Sequence, residues 1–382
     1  MNILHSGLSR EYFISDTFFN IEKEVFKKNW VFACHISSIP KDGNFFTFQI
    51  FNVAIIIIND QNKIRAFSNI CLHRGTPLII ENQGSLKTIV CPYHSWRYNM
   101  DGTLYQSDSS NEMQLRKFDV KILSGFIFVN ITTFSSSIES LEKEFNDFFQ
   151  IYALENVYSV QKKTFFIKAN WKLLIENFEE CYHCLTIHPL LSMSSAHAKA
   201  ESTLNDQHIL EYELYCKDWN VVSGIGPKFF SPVSPNFDYW FGRYPLMDPF
   251  YTQTRNGKPI TGLLGKLKKF DRGISSFRLY PSFYLICNSD YVISFRFLPS
   301  SVQETQLEVI WYIDNKFTLN ESELKTLIEF WEITVSEDNS ICERQYLGIK
   351  DHFFSKMTYT SSEDYSRNFD LWYLRQLNTK KV

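Results

Sequence analysis

NICLHRGTPLIIENQGSLKTIVCPYHSW, residues 69–96, carries two short pairs of metal-binding side chains. Cys71-Leu72-His73 is followed by seventeen residues and then by Cys91-Pro92-Tyr93-His94, so each pair offers one thiolate and one imidazole. The eight cysteines (34, 71, 91, 181, 184, 216, 287 and 342) are scattered along the chain, which favours ligands or buried thiols over disulfides. Apolar runs on either side (FFTFQIF, VAIIII, KIRAF, TIVC, FIFVNI) alternate with turn signals at Asp60, Asp101-Gly102 and Ser124-Gly125. The pairs therefore sit on loops of a compact all-β module.

Two thiolates and two imidazoles suit two kinds of centre. In a 2Fe-2S cluster, two histidines in place of two cysteines on one iron make the Rieske centre and raise its potential. On zinc the same donors make a tetrahedral structural site, although zinc fingers seldom use C-x-H.

The whole chain, 382 residues, is two to three domain-lengths and needs no crosslinks to hold a core. With 44% hydrophobic and 21% charged residues it is neither disordered nor fibrous, and a formal net charge of -3 gives no general handle for nucleic acid or an anionic membrane. The longest apolar run, Val53 to Ile58, is far too short to span a bilayer. Arg10 and Glu11 interrupt the place where a signal peptide would be apolar, so a cytoplasmic location is expected.

Ser15 to Trp30 reads as an amphipathic helix that leads the chain in, over 1–35. The β module follows over 36–135, and the polar-then-helical run SSSIESLEKEFNDFFQIYAL from Ser135 to Leu154 marks the boundary to a second domain, 136–382. That domain mixes helical segments at 170–188 and 322–346 with strand-like runs at 209–216, 276–287, 291–298 and 305–313, an α+β pattern with helices on an antiparallel sheet.

A small metal module does not need that second domain. Within NWKLLIENFEECYHCLTIHP, residues 170–189, Glu180 and His183 share a helix face at i and i+3. His188 lies about 140° further round an ideal helix, so the helix must break for both imidazoles to meet one ion. Two histidines and one carboxylate in a facial array leave positions open on iron(II) for dioxygen. In WEITVSEDNSICERQYLG, residues 331–348, both Glu337 and Asp338 could supply that carboxylate.

These motifs are familiar together. N-x-C-x-H-R-G (69–75) and C-P-Y-H-x-W (91–96) resemble the cluster loops of Rieske non-haem iron ring-hydroxylating oxygenase large subunits. E-N-F-x-E-C-Y-H-C-x-x-x-H-P (176–189) and E-D-x-x-x-C-E-x-Q (337–345) resemble the same family's catalytic domain, as do W-V-F-A-C-H (30–35) and L-Y-P-S-F (279–283). The resemblance implies a 2Fe-2S cluster on Cys71, His73, Cys91 and His94, and a mononuclear iron on His183, His188 and Asp338 in a START/Bet v 1-like domain. It implies a head-to-tail homotrimer in which Glu180 bridges His183 and the partner subunit's His94. Asn177 matches a position near the iron, where packing is an equal explanation. Ser95 stands where the family commonly has Gly.

Further expectations follow from the likeness. No nucleotide fingerprint is present, since Gly224-Ile225-Gly226-Pro227 reads as a turn, so a separate NAD(P)H-dependent reductase or ferredoxin must supply electrons. Glu180 followed by C-Y-H-C resembles the branch acting on quaternary ammonium compounds, which implies monooxygenation or oxidative N-demethylation. Aromatic-ring dihydroxylation is the alternative, and a non-catalytic Rieske electron carrier the rival from another class. A trimethylammonium group would be held by ring faces. Tyr239, Trp240, Phe241, Tyr244, Phe283 and Tyr284 form either such a cage or ordinary core. Cys181 and Cys184 read as buried thiols, and His5, His35, His197, His208 and His352 as surface or core residues.

Overall fold

The computed structural model describes residues 4–105, 113–132, 138–203, 205–223, 228–230 and 238–378; the turn read at 224–227 and the linker start at Ser135 lie outside them. The chain divides into two compact units, Phe26–Ser159 and Met1–Val25 with Val160–Val382. The architecture is α+β: an all-β N-terminal domain, then a helix-on-sheet C-terminal domain.

In the unit Phe26–Ser159 seven antiparallel strands lie in the order Val31–His35, Phe126–Asn130, Lys117–Leu123, Lys63–Ser68, Val53–Asp60, Asn44–Ile50 and Gln83–Ser85. Ile55 to Ile58 are buried at every position, so both faces of that strand are covered, as the unbroken isoleucine run requires. A two-stranded ladder, Ile89–Val90 with Arg97–Tyr98, carries the second cysteine loop. Cys71, Cys91 and Tyr98 share a core with Phe45, Ile56 and Ile58, which anchors both loops from below.

The other unit is built on a second antiparallel sheet, in the order Val157–Ile167, Glu304–Asp314, Val292–Ser301, Phe283–Cys287, Gly273–Leu279, Tyr239–Pro245 and Lys228–Phe230. The helix Glu321–Ile349 starts at a capping box in which Asn320 and Glu323 satisfy each other's backbone N–H groups. Its buried residues, Leu327, Phe330, Trp331, Thr334, Val335, Asp338, Cys342, Tyr346 and Ile349, recur at steps of three and four, so one stripe faces inward. Met1–Val25 join this unit through specific bonds. Trp171 Nε1 donates to Glu22 Oε2 at 2.8 Å, Asn170 Nδ2 donates to the Phe13 carbonyl at 3.0 Å, and His5–Ser9 pairs with Lys356–Tyr359.

Two readings of the sequence are corrected. Residues 209–216 form no strand; they lie in the helix Asp206–Ser223. The alternation in ILEYELYC is accidental: Ile209, Leu210 and Leu214 are exposed, whereas Cys216 and Trp219 are buried and Tyr212 is half-buried, a helical stripe. The run 276–287 is two strands, Gly273–Leu279 and Phe283–Cys287, divided by the turn around Pro281. Among the described residues no helix is long and apolar enough to cross a membrane.

Candidate metal centres

The two cysteine loops are folded alike. The Cys71 N–H donates to the Thr76 carbonyl and the Gly75 N–H returns to the Cys71 carbonyl; the Cys91 N–H donates to Trp96 and the Ser95 N–H returns to Cys91. Cys71 and Cys91 are buried at the base, while His73 and His94 stand at the exposed tips with ring centroids 4.7 Å apart. Trp96 stacks on the His73 ring at 4.8 Å. Burial pushes the Cys71 thiol up, but the Tyr98 hydroxyl and the His73 and Arg74 N–H groups outweigh it, and the pKa falls below the ordinary thiol value. Donors aimed at a sulfur favour thiolate, the form that binds metal. Two buried sulfurs beneath two adjacent imidazoles suit a two-iron cluster with unlike ends.

The second centre is made by a break in a helix. Trp171–Phe178, capped by the Asn170 side chain on the Lys172 N–H, ends at Phe178, and helix resumes only at Cys184–Ile187 and again at Pro189–Ser194. This brings His183 and His188 to one point, with their Nε2 atoms 3.1 Å apart. Asp338 Oδ1 lies 2.9 Å from His188 Nε2 and 3.5 Å from His183 Nε2. The outer nitrogens are held by other carboxylates: His183 Nδ1 by Glu180 Oε1 at 2.6 Å, and His188 Nδ1 by Glu337 Oε2 at 2.8 Å. Glu337 and Asp338 thus both reach His188, from opposite edges of its ring. Asn177 Nδ2 is 3.5 Å from His183 Nε2.

The charges agree with that geometry. Burial pulls His183 down, yet Asp338 and Glu180 outweigh it and raise its pKa to about 10. His188 moves up for the same reason, with Asp338 as its chief partner. Burial raises Asp338, but both histidines overcome it and hold the carboxyl below its usual range. Three converging donors, with both rings fixed from outside, are a fit for one divalent ion such as iron.

The donors open on a cavity of about 210 Å³. Trp240, Tyr244 and Tyr284 line it, but Tyr239, Phe241 and Phe283 do not, because alternate strand residues face opposite sides. Pairing sets the order on that face: Trp240 lies opposite Arg278, and Arg278 opposite Tyr284. The Arg278 guanidinium consequently sits 4.5 Å from the Trp240 ring centroid and 5.2 Å from those of Tyr284 and Tyr365. It is ion-paired with Glu179.

Sequence reasoning missed Arg278, Glu179, Glu201 and Tyr98, none of which stands in a metal-ligand spacing. It also read Cys181 and Cys184 as thiols, and the structure joins them as a disulfide. The turn around His183 brings their Cα atoms to 4.9 Å, within bonding reach.

Comparison with known proteins agrees with both centres. Residues 29–119 match the Rieske [2Fe-2S] domain and residues 154–379 the catalytic domain of the ring hydroxylating alpha subunit. The glycine betaine monooxygenase oxygenase subunit of Pseudomonas aeruginosa (strain UCBPP-PA14) is 27% identical over 97% of this chain and 89% of its own length. The carnitine monooxygenase oxygenase subunit of Escherichia coli (strain K12) is 28% identical over 53% of this chain and 57% of its own. In structure, the quaternary ammonium Rieske monooxygenase CntA superposes with a TM-score of 0.74 at 19% identity, covering 98% of this chain and 96% of its own. Naphthalene 1,2-dioxygenase from Rhodococcus sp. gives 0.68 at 15% identity, covering 98% and 95%. The cofactors are a Rieske 2Fe-2S cluster and a mononuclear iron. With a cluster domain at its N-terminus and more than half its length matched to the catalytic domain, the chain belongs to the family of ring hydroxylating alpha subunits.

Proposed function

We propose that this chain is the terminal oxygenase component of a Rieske non-haem iron system that oxidises an N-methyl group of a quaternary ammonium compound. The observation that carries the reading is the facial array of His183, His188 and Asp338 opening on an aromatic cavity, in a chain aligned almost end to end with glycine betaine monooxygenase oxygenase subunits. In the reaction one oxygen atom enters a C–H bond of the methyl group and the other leaves as water, consuming two electrons and two protons. The resulting N-hydroxymethyl group loses its hydroxyl proton to solvent, and its C–N bond breaks with the pair returning to nitrogen, which leaves a tertiary amine and formaldehyde.

Cys71, His73, Cys91 and His94, within a domain over 36–135, would hold a cluster able to supply single electrons, and the 136–382 domain would hold an iron able to supply open positions to dioxygen. The side chains divide the remaining work. His183, His188 and Asp338 hold the iron. Glu180 and Glu337 accept the Nδ1 protons of the two histidines and so fix their tautomers and ring planes. Asn177 stands beside His183 on the cavity side. In a head-to-tail homotrimer, Glu180 bridges His183 to the partner subunit's His94, and a separate reductase or ferredoxin supplies electrons.

Oxygen uptake by the reductase-coupled protein against glycine betaine, carnitine, choline and simple aromatics, with formaldehyde measured alongside, tests this. Uptake matched by formaldehyde is expected with a trimethylammonium compound. Uptake with aromatics alone overturns the reading in favour of ring hydroxylation.

A further inference from the structure

The cavity beside His183 contains four carboxylates with unequal commitments. Asp338 meets both histidines, Glu180 holds His183, and Glu179 is ion-paired with Arg278. Glu201 has no ion pair among the described residues. It lies on the short helix Ala198–Thr203, where Oε2 accepts the Cys181 N–H at 3.0 Å. Burial raises its pKa, with His197 opposing and Glu180 adding to the effect. His197 is the basic group beside it, with a ring nitrogen within 4.8 Å of a Glu201 oxygen but no ion pair formed, and a carboxylate so withdrawn from water gains from a full cation delivered to it.

The aromatic face on the other side cannot receive that cation. Trp240, Tyr284 and Tyr365 already surround the Arg278 guanidinium, and a second positive charge there would be repelled. On the Glu201 side the cavity is walled by Tyr212 and Tyr244, with the His197 ring 5.0 Å from Tyr244 and 6.2 Å from Tyr212. A quaternary ammonium group has no N–H to donate, so only a charge and ring faces can hold it. Glu201, Tyr212 and Tyr244 offer both.

We infer that Glu201 is the counter-charge for the substrate's quaternary ammonium group, seated against Tyr212 and Tyr244, and that the Arg278 cage is closed to it. The inference rests on the proposed function and deepens it by placing the head group. It makes Glu201 a binding residue that reads charge, apart from the groups that hold iron.

The test uses the holoenzyme, glycine betaine and its uncharged-head isostere 3,3-dimethylbutyrate, in calorimetric binding without oxygen and in turnover. The wild type is expected to bind the betaine at least about tenfold tighter than the isostere. Glu201→Gln should abolish that preference and raise KM for the betaine by about 10- to 100-fold, with kcat little changed. Glu201→Asp should restore part of the preference. Iron content and the cluster's visible spectrum, unchanged in the variants, exclude a folding defect. Tyr244→Leu provides a second reading, with a smaller loss of the same preference. An undiminished preference in Glu201→Gln, both metal centres intact, overturns the inference and leaves the proposed function standing. A wild type that binds no trimethylammonium compound overturns both.

Discussion

Gly75 and Ser95 occupy one place in two copies of a loop. Each lies four residues after its cysteine and returns its N–H to that cysteine's carbonyl, at 3.0 and 3.1 Å, and each has a positive φ, 74° and 58°. The left-handed backbone is natural for glycine and strained for serine. A Cβ added at Gly75 would meet no atom within 4 Å, so its substitution isolates the backbone effect. Gly75→Ser is expected to cost about 1 kcal/mol, and Ser95→Gly to stabilise by somewhat less, because a new glycine also gains freedom in the unfolded chain. Thermal melts of the cluster-loaded protein check both signs.

Tyr98 stands beneath the same loops. Its hydroxyl accepts the Leu72 N–H at 3.0 Å and lies 3.3 Å from Cys71 Sγ, to which it donates. A proton held toward a sulfur stabilises the extra negative charge of the reduced cluster. Tyr98→Phe should therefore lower the midpoint potential, by on the order of 50 mV if the lost bond is worth about 1 kcal/mol. Redox titration followed by EPR measures it, and an unchanged potential would mean that the hydroxyl serves only the Leu72 N–H.

Glu337 and Asp338 are neighbours with different tasks. Asp338→Ala should remove one iron per chain while the cluster's visible spectrum persists. Glu337→Gln should keep the iron but weaken its affinity by about tenfold, since only the His188 orientation is disturbed. Metal analysis after graded chelation separates the two, and the opposite ranking would exchange their roles.

His35, buried in the sheet of the cluster unit, gives that unit an acid limit. Burial lowers its pKa from 6.5 to about 4, with the Leu154 carbonyl bond acting the other way. Its Nδ1 accepts the Ser37 N–H, which leaves Nε2 to donate to Leu154 at 3.1 Å and fixes the neutral form. The unfolded chain takes up this proton near pH 6.5 and the folded chain only near 4. Stability present above pH 6.5 is thus lost as the pH falls toward 4, by roughly 3 kcal/mol in all. Melts between pH 7 and 4.5 should show a shallower decline for His35→Gln than for the wild type; parallel declines would assign the acid sensitivity to other groups.

Much of the candidate site was legible because its chemistry is local. Ligand types and spacing in 71–94 and 180–188 are one-dimensional facts, and the mismatch of His183 and His188 on an ideal helix already required a departure between them, seen at His188, whose φ of -117° and ψ of 80° divide Cys184–Ile187 from Pro189–Ser194. The residues alone left Glu337 and Asp338 equal, and only the resemblance chose Asp338; the structure supplies the reason, since Asp338 lies on the buried stripe with Trp331 and Cys342. The run 209–216 misled because two-residue alternation can arise by chance inside a helix when its exposed face carries leucine and isoleucine.

By itself the sequence determined which side chains could bind metal, the β and α+β character of the two domains, and the place where a helix had to break, since each depends on neighbours a few residues apart. Only the tertiary structure decided which aromatics face the iron donors, that Arg278 fills the cage they form, and that Glu201, beside His197, makes no ion pair among the described residues. Those outcomes depend on strand register: Trp240, Arg278 and Tyr284 stand in one row because three strands pair with that particular offset, and a slip of one residue would turn each to the other face.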